Sequence, residues 1–286
     1  MAQPLTKRYT LTDLRKARET GAKVPMLTCY DYTTARHMQQ AGVPTLLVGD
    51  SAANVILGHD TTLPVPLSFM IQITAAVRRG APLAMVVADL PFGSYQASTA
   101  QGMRAAMKMV QQTGCDCVKL EVAESHLPLV ERLADAGVAV MAHVGLRPQA
   151  VHLMGGYRYQ GRTAEDAMRI VRLCMELELA GAAAFLLEAV PPEVSAAVVE
   201  KTHVPVIGCG AGPACHGYVV VTQDALGLTP MAPRFVPRVG DLATPLTAAF
   251  AAYVDQVQQG KYPQPEHNYE MPVDQRQALE AQLPGL

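Results

Sequence analysis

Gly114-Cys115-Asp116-Cys117-Val118-Lys119-Leu120-Glu121 decides how the whole chain is read. Glycine is the usual residue just past a helix C-terminus, where the backbone turns left-handed, and the short run after it suits a strand buried on both faces. The run stops at an ionisable side chain. The same design recurs four more times: Gly42, Gly80, Gly137 and Gly181 open apolar runs that stop at Asp50, Asp89, His143 and Glu188, in that order. In a ring of parallel strands every C-terminal end lies on one face, so acids and bases distant in sequence converge on one cavity.

Working outward, strands are expected at 24–30, 45–48, 83–88, 117–122, 139–144, 183–187, 205–208 and 219–221. Helical patterns fill 33–41, 69–79, 100–113, 126–136, 164–179 and 194–201 between them. Alternation of this kind argues for βα units joined by right-handed crossovers. Thr10 and Asp13 read as a capped start of an N-terminal helix that ends near Gly21 and plugs the barrel floor. An open doubly wound sheet is the competing architecture, but it would gather ligands at one switch point and has no need of polar groups ending five strands. The expected fold is therefore α/β, a (β/α)8 TIM barrel with an N-terminal helix. It forms a single domain over 1–286, in which 260–286 is a polar, Pro-rich C-terminal extension with a final helical stretch at 274–283. That extension wraps a neighbouring subunit or the surface.

Composition agrees with one large α/β domain. Of 286 residues 50% are apolar and only 17% charged, which suits strands covered on both faces, and there is no Trp. Lys plus Arg number 23 against 25 Asp plus Glu, with no basic stripe, so no nucleic-acid partner is expected. The first ten residues lack a charged start followed by an apolar stretch, and no later run is long enough for a membrane span. A soluble cytoplasmic protein is expected. The cysteines at 29, 115, 117, 174, 209 and 215 lack CxxC spacing and read as buried thiols in a reducing compartment, with Cys115 and Cys117 on one face of a strand.

Asp50 and Asp89 are the best metal candidates, because Mg²⁺ takes one or two carboxylates together with water and substrate oxygens. Each alone reads equally well as a helix cap or an Arg partner. Lys119 and Glu121 lie two apart, so both point into the mouth. A salt bridge between them is the plain reading, yet burying both in an apolar strand costs more than a structural pair returns. Lys119 suits either a substrate carboxylate or a Schiff base. His143 suits a hydrogen bond to a developing oxyanion, against a satisfied core histidine. Glu188, with apolar neighbours that raise its pKa and Pro191 and Pro192 to anchor it, suits a general base. Gly208, Gly210 and Gly212 form a loop too incomplete for a dinucleotide fingerprint; it allows close backbone approach to a ligand or simply turns. The stretch 155–161 reads as a lid or inter-subunit loop.

Several blocks in order make the chain similar to the ketopantoate hydroxymethyltransferase family over most of its length. They are Met26-Leu-Thr-Cys-Tyr-Asp-Tyr32, Val48-Gly-Asp-Ser51, Leu57-Gly58 with Thr62-Leu-Pro-Val65, and Val87-Ala-Asp-Leu-Pro-Phe-Gly-Ser-Tyr-Gln96. Val118-Lys-Leu-Glu121, His143-Val-Gly-Leu146, Gly155-Gly-Tyr-Arg158, Gln160-Gly-Arg162 and Leu187-Glu-Ala-Val-Pro191 follow, and then the glycine loop with Pro213. The resemblance implies a barrel of the phosphoenolpyruvate mutase/isocitrate lyase-like superfamily, Mg²⁺-dependent and assembled as a homodecamer. It implies transfer of a hydroxymethyl group from 5,10-methylenetetrahydrofolate to 3-methyl-2-oxobutanoate through a stabilised enolate, giving 2-dehydropantoate for pantothenate and coenzyme A synthesis. Carried over by motif, Asp50 and Asp89 hold the metal, Glu121 stands beside it through water, Ser51 and Lys119 bind the oxo acid, His143 contacts the hydroxyl or keto region, and Glu188 is the base.

The chain departs from the family pattern at Ala52, Ala53, Val122, Ala123, His216 and Gln223, all expected near the rim, where they bear on the oxo acid and folate accepted. Two rival readings follow. One is a folate-independent Mg²⁺-dependent lyase or aldolase of the same superfamily. The other is a catalytically silent assembly barrel, against which the joint retention of six polar residues argues.

Overall fold

The computed structural model describes residues 3–285. It divides between Val239 and Gly240 into two compact units. In the first, α1 (Leu11–Thr20) precedes β1 (Val24–Thr28), α2 (Tyr32–Gln40), β2 (Thr45–Val48), α3 (Ala52–Val55), α4 (Leu67–Gly80), β3 (Met85–Asp89), α5 (Thr99–Thr113) and β4 (Cys117–Glu121). Then come α6 (Leu127–Asp135), β5 (Val140–Gly145), α7 (Ala164–Leu179), β6 (Ala184–Glu188), α8 (Pro192–Lys201), β7 (Val206–Cys209), β8 (Gly217–Val220) and α9 (Thr222–Ala225). Eight parallel strands in chain order close into a barrel, with β1 pairing both β2 and β8. The expected (β/α)8 barrel is the fold observed.

Strand parity explains how this barrel carries a polar mouth on an apolar column. Inward-facing Met26, Leu47, Met85, Cys117, Met141, Leu186 and Ile207 form one cluster with Leu14 and Ala17 of α1, which seals the floor as expected. The alternate, outward residues, among them Val86, Val118, Ala142 and Phe185, pack beneath the surrounding helices. Helix α1 starts with a capping box between Thr10 and Asp13 and ends at Gly21, whose φ of 74° is left-handed. Leu14 is fully buried, so truncating it to alanine would cost about 2–5 kcal/mol.

The floor is also pinned by a charge cluster. Asp116 accepts from Arg8 Nη2 at 2.6 Å, Arg78 Nη1 at 2.9 Å and the backbone N–H of Val86 at 2.8 Å. This ties the segment ahead of α1 and the end of α4 to the strand starts of β3 and β4.

Three sequence expectations are corrected. Gly80 is not a left-handed cap: it is the last residue of α4, and a Cβ there would lie 2.4 Å from the Tyr32 carbonyl oxygen, so glycine allows α2 to approach α4. Cys115 and Cys117 do not share a face, because the strand begins only at Cys117; Cys115 packs outside the barrel and Cys117 inside it. His216 is not on the rim. It precedes β8, its Nδ1 accepts from Val206 N at 3.0 Å, and its carbonyl accepts from Val24 N, so it stitches strand starts on the floor. Burial, then the charges of Arg18 and Lys23, hold it neutral by lowering its pKa to about 4.

The second unit contains α10 (Ala243–Gln258) and α11 (Val273–Gln282). The sequence reading located α11 and missed α10. The alanines of α10 favour a helix.

Candidate active site

The residues expected to hold metal, substrate or proton, namely Asp50, Ser51, Asp89, Lys119, Glu121, His143 and Glu188, lie at the C-terminal ends of β2 to β6. Asp89 is the last residue of β3 and pairs in register with Lys119 of β4; Glu121 of β4 pairs with His143 of β5; Gly145 pairs with Glu188, which ends β6. Adjacent strands therefore present alternating acids and bases around the mouth.

Asp89 and Lys119 form a buried ion pair, and the other Asp89 oxygen accepts the backbone N–H of Asp50 at 3.0 Å. Burial alone would lower the Lys119 pKa, but Asp89, Asp50 and Glu121 together raise it above its ordinary value. Lys119 is thus a fixed cation, suited to hold an anionic group and unsuited to attack a carbonyl as a free amine. Burial, with Asp50 adding to it, pushes the Asp89 carboxyl up against the pull of Lys119. Glu121 is also pushed well above the carboxylate range, by burial and then by Asp50. Ser51 stands just before the short α3, and its hydroxyl shares a hydrogen bond with Tyr30 Oη at 2.9 Å instead of capping the helix.

His143 is buried between two acids. Its Nε2 lies 3.2 Å from Glu188 Oε2 and its Nδ1 3.8 Å from Glu121 Oε1, yet neither nitrogen makes an aligned hydrogen bond. Burial and then Lys119 drive its pKa well below the usual value, so the ring is neutral. A buried nitrogen left without a partner costs about 1–3 kcal/mol, which a bound oxygen would recover. Burial raises Glu188 from 4.5 to about 7, the range a general base needs.

The backbone next to Glu188 is constrained. Ala189 has a φ of 46° and donates its N–H to the Cys209 carbonyl, while a Cβ on Gly145 would lie 2.3 Å from the Glu188 carbonyl oxygen. Beyond Ala189 opens a cavity of about 700 Å³ lined by Tyr159, Pro191, Gly210, Arg234 and Phe235. Gly210 is required there because a Cβ would meet the Phe235 ring at 2.6 Å. The 155–161 stretch reaches the same place, since Gln160 N donates to the Ala189 carbonyl at 2.9 Å. Burial and the charges of Asp50, Glu188 and Glu121 raise the Tyr157 phenol, which puts that loop within electrostatic reach of the mouth.

Among the rim departures, Ala52 and Ala53 follow Ser51 in α3, Val122 and Ala123 follow Glu121, and Gln223 lies in α9 after β8. Two residues in the site carry no expectation from sequence. Gln149, in a turn after β5, donates its backbone N–H to both Glu121 oxygens and its Nε2 to Asp50 Oδ2 at 2.8 Å. Tyr95 donates to Gln149 Oε1 at 2.8 Å and accepts from Glu121 N at 3.1 Å. Tyr95 falls inside a quoted family block; Gln149 has no such signal.

The donor set suits a hard divalent cation. Asp50, Asp89, Glu121 and Glu188 face Lys119, and burial works against ionising Asp89, Glu121 and Glu188. An added double positive charge would relieve that imbalance, and carboxylate oxygens are the ligands Mg²⁺ prefers. Among the described residues, no three His, Cys, Asp or Glu side chains gather into a metal cage. Two carboxylates with water and substrate oxygens would be the ligand pattern here.

Comparison with known proteins agrees with this geometry. Residues 8–265 match the family model described as ketopantoate hydroxymethyltransferase. A 3-methyl-2-oxobutanoate hydroxymethyltransferase of Thermobifida fusca is 46% identical over 263 residues, covering 92% of this chain and 94% of that protein. One from Chloroflexus aurantiacus is 43% identical over 277 residues, covering 96% and 98%. Among solved structures, 2,3-dimethylmalate lyase, a PEP mutase/isocitrate lyase superfamily member, aligns with a TM-score of 0.57 at 16% identity, covering 96% of this chain and 98% of that one. Phosphonopyruvate hydrolase aligns at 0.58 and 14%, covering 96% of each chain. These two share the fold. On the family match and the identity across nearly its whole length, the chain belongs to the ketopantoate hydroxymethyltransferase family.

Proposed function

We propose that the protein transfers a hydroxymethyl group from 5,10-methylenetetrahydrofolate to 3-methyl-2-oxobutanoate, giving 2-dehydropantoate for pantothenate synthesis. The observation that carries this reading is a partly buried base of raised pKa, Glu188, placed across a neutral His143 from a cluster of three acids and one fixed lysine. The Thermobifida and Chloroflexus relatives bear the name of that activity.

Asp50 and Asp89 would hold Mg²⁺, with Glu121 behind them through water. The metal, when bound, supplies Lewis acidity that makes C3–H of a 2-oxo acid easier to ionise. Lys119 and Ser51 fix the oxo acid's carboxylate end. Glu188 takes the proton from C3; the carbon so exposed bonds to the folate's methylene carbon as that carbon's bond to one folate nitrogen breaks, and water then displaces the second nitrogen, leaving its oxygen as the product's hydroxyl and releasing tetrahydrofolate. His143, neutral and without an aligned partner, offers a hydrogen bond to substrate oxygen. The cavity lined by Ala189, the residue after Glu188, is large enough for part of a folate and is the best place for the one-carbon donor.

Cytoplasmic location and decameric assembly complete the proposal by family resemblance. Among the described residues no helix is long and apolar enough to cross a membrane. The test is proton NMR of 3-methyl-2-oxobutanoate with enzyme and Mg²⁺ in D₂O, before and after adding the folate. Loss of the C3 proton signal followed by folate-dependent 2-dehydropantoate is the expected result. Exchange without product would mean a different acceptor, and neither would remove this substrate.

A further inference from the structure

We infer that Gln149 is the positioning residue of the acid cluster, holding Asp50 by its side chain and Glu121 by its backbone in the arrangement a divalent cation needs. The inference rests on the magnesium reading above.

The side-chain amide of Gln149 is used completely. Nε2 donates to Asp50 Oδ2 at 2.8 Å and to the Leu90 carbonyl at 3.0 Å; Oε1 accepts from Tyr95 Oη at 2.8 Å and from Gln96 Nε2 at 3.0 Å. A primary amide has two N–H donors and room for two hydrogen bonds at oxygen, so its capacity is filled. Turning it over would set oxygen against a carboxylate and a carbonyl, and N–H against the Gln96 amide N–H. Its orientation is therefore dictated by its partners.

The backbone N–H of the same residue donates to Glu121 Oε1 at 3.1 Å and Oε2 at 3.0 Å. One residue thus joins the acid after β2, the carbonyl after β3 and the acid that ends β4. Pro148, which opens the turn from Pro148 to Ala150, restricts the backbone just ahead of that N–H. Gln149 is only 6% exposed, so water competes little for these bonds.

The consequence concerns metal affinity. Two like charges close together repel, and without donors they separate or take up protons. Gln149 neutralises part of that tendency without adding a charge. It also fixes the orientation of the Asp50 carboxylate through Oδ2, which sets where its free lone pairs point. Residues that hydrogen-bond a metal ligand from behind typically change metal affinity or activity about 10–100-fold when replaced.

The experiment uses full-length Q149M, which swaps the amide for an apolar chain of similar length, and Q149N, which keeps the amide one methylene short. Mn²⁺ binding is titrated by electron paramagnetic resonance with 3-methyl-2-oxobutanoate present, beside steady-state turnover at saturating metal. Both variants should bind Mn²⁺ about 10–100-fold more weakly. Raising the metal concentration should restore much of the turnover these variants lose at limiting metal, because the loss is in ground-state assembly of the site. Unchanged Mn²⁺ affinity in the variants, with turnover or melting temperature lowered, overturns the role of Gln149 and leaves the metal reading standing. Failure of the unaltered protein to bind Mn²⁺ overturns both. If neither variant folds, a crystal structure of the unaltered protein with Mn²⁺ decides. Nε2 within hydrogen-bond reach of Asp50 Oδ2 supports the inference, and separation of the two refutes it.

Discussion

Replacing Glu188 with glutamine should move activity and stability in opposite directions. The amide keeps the shape of the side chain but neither accepts a proton nor carries a charge, so turnover should fall at least about a hundredfold, the lower end for a general base. The stability effect follows from burial, which raises the carboxyl from 4.5 to about 7 in a side chain 19% exposed. Between those values the folded protein keeps a proton that the unfolded chain has released. Folding is therefore penalised increasingly as pH rises through that window, and the penalty is complete above it. At about 1.4 kcal/mol per pH unit, the gap corresponds to an upper bound of about 3 kcal/mol at pH 8 and about 1 kcal/mol at pH 5. Glutamine does not titrate, so E188Q should melt higher than the parent, by up to about 6 °C at pH 8 and far less at pH 5. Scanning calorimetry at both pH values, beside NMR-detected product formation, measures the two effects. Near-normal turnover would remove Glu188 as the base. An unchanged or lower melting temperature at pH 8 would show that the ionised carboxylate is well accommodated and refute the burial argument.

In the parent enzyme, kcat/KM should fall as pH drops below about 7, because the base must be ionised; a flat acid limb to pH 5 would contradict the raised value. Asp89→Ala should abolish Mg²⁺-dependent binding of the oxo acid, and unchanged calorimetric titration would count against the metal assignment. Gly145→Ala places a Cβ 2.3 Å from the Glu188 carbonyl and should lower kcat about a hundredfold by displacing the base, with steady-state kinetics as the check. Asp116→Ala leaves Arg78 with only backbone carbonyl partners on the barrel floor and should cost about 1–3 kcal/mol by denaturant titration, leaving kcat unchanged because the mouth lies at the other end of the strands.

Much of this site was legible because strand parity does two things at once. A run such as Cys117, Lys119, Glu121 announces a strand by its apolar neighbours and gives the height of each inward residue by its place in the run. The ionisable ends are therefore both boundary markers and ligands. Gln149 escaped the same logic because it sits on an irregular turn, where no period applies, and an amide does no acid–base chemistry that would draw attention. His216 was misplaced because a residue before a strand and one after it look alike until the strand's start is known; β8 begins at Gly217, ahead of the expected 219. The face of Cys115 was misjudged for the same reason. In contrast, α7 ran over the expected 164–179, where Thr163 caps the start by accepting from Asp166 N.

The left-handed backbone at Ala189 has a consequence for how this sequence can vary. A φ of 46° is open to glycine and tolerable for asparagine or aspartate, but it crowds any side chain branched at Cβ. Position 189 should therefore accept a narrow alphabet even though alanine there has no chemical role. A saturation library at 189, selected for pantothenate-independent growth, should be depleted of Val, Ile and Thr and retain Gly and Asn. Drift at that codon is limited by the shape of one peptide unit, and that limit protects the aim of the carboxylate beside it.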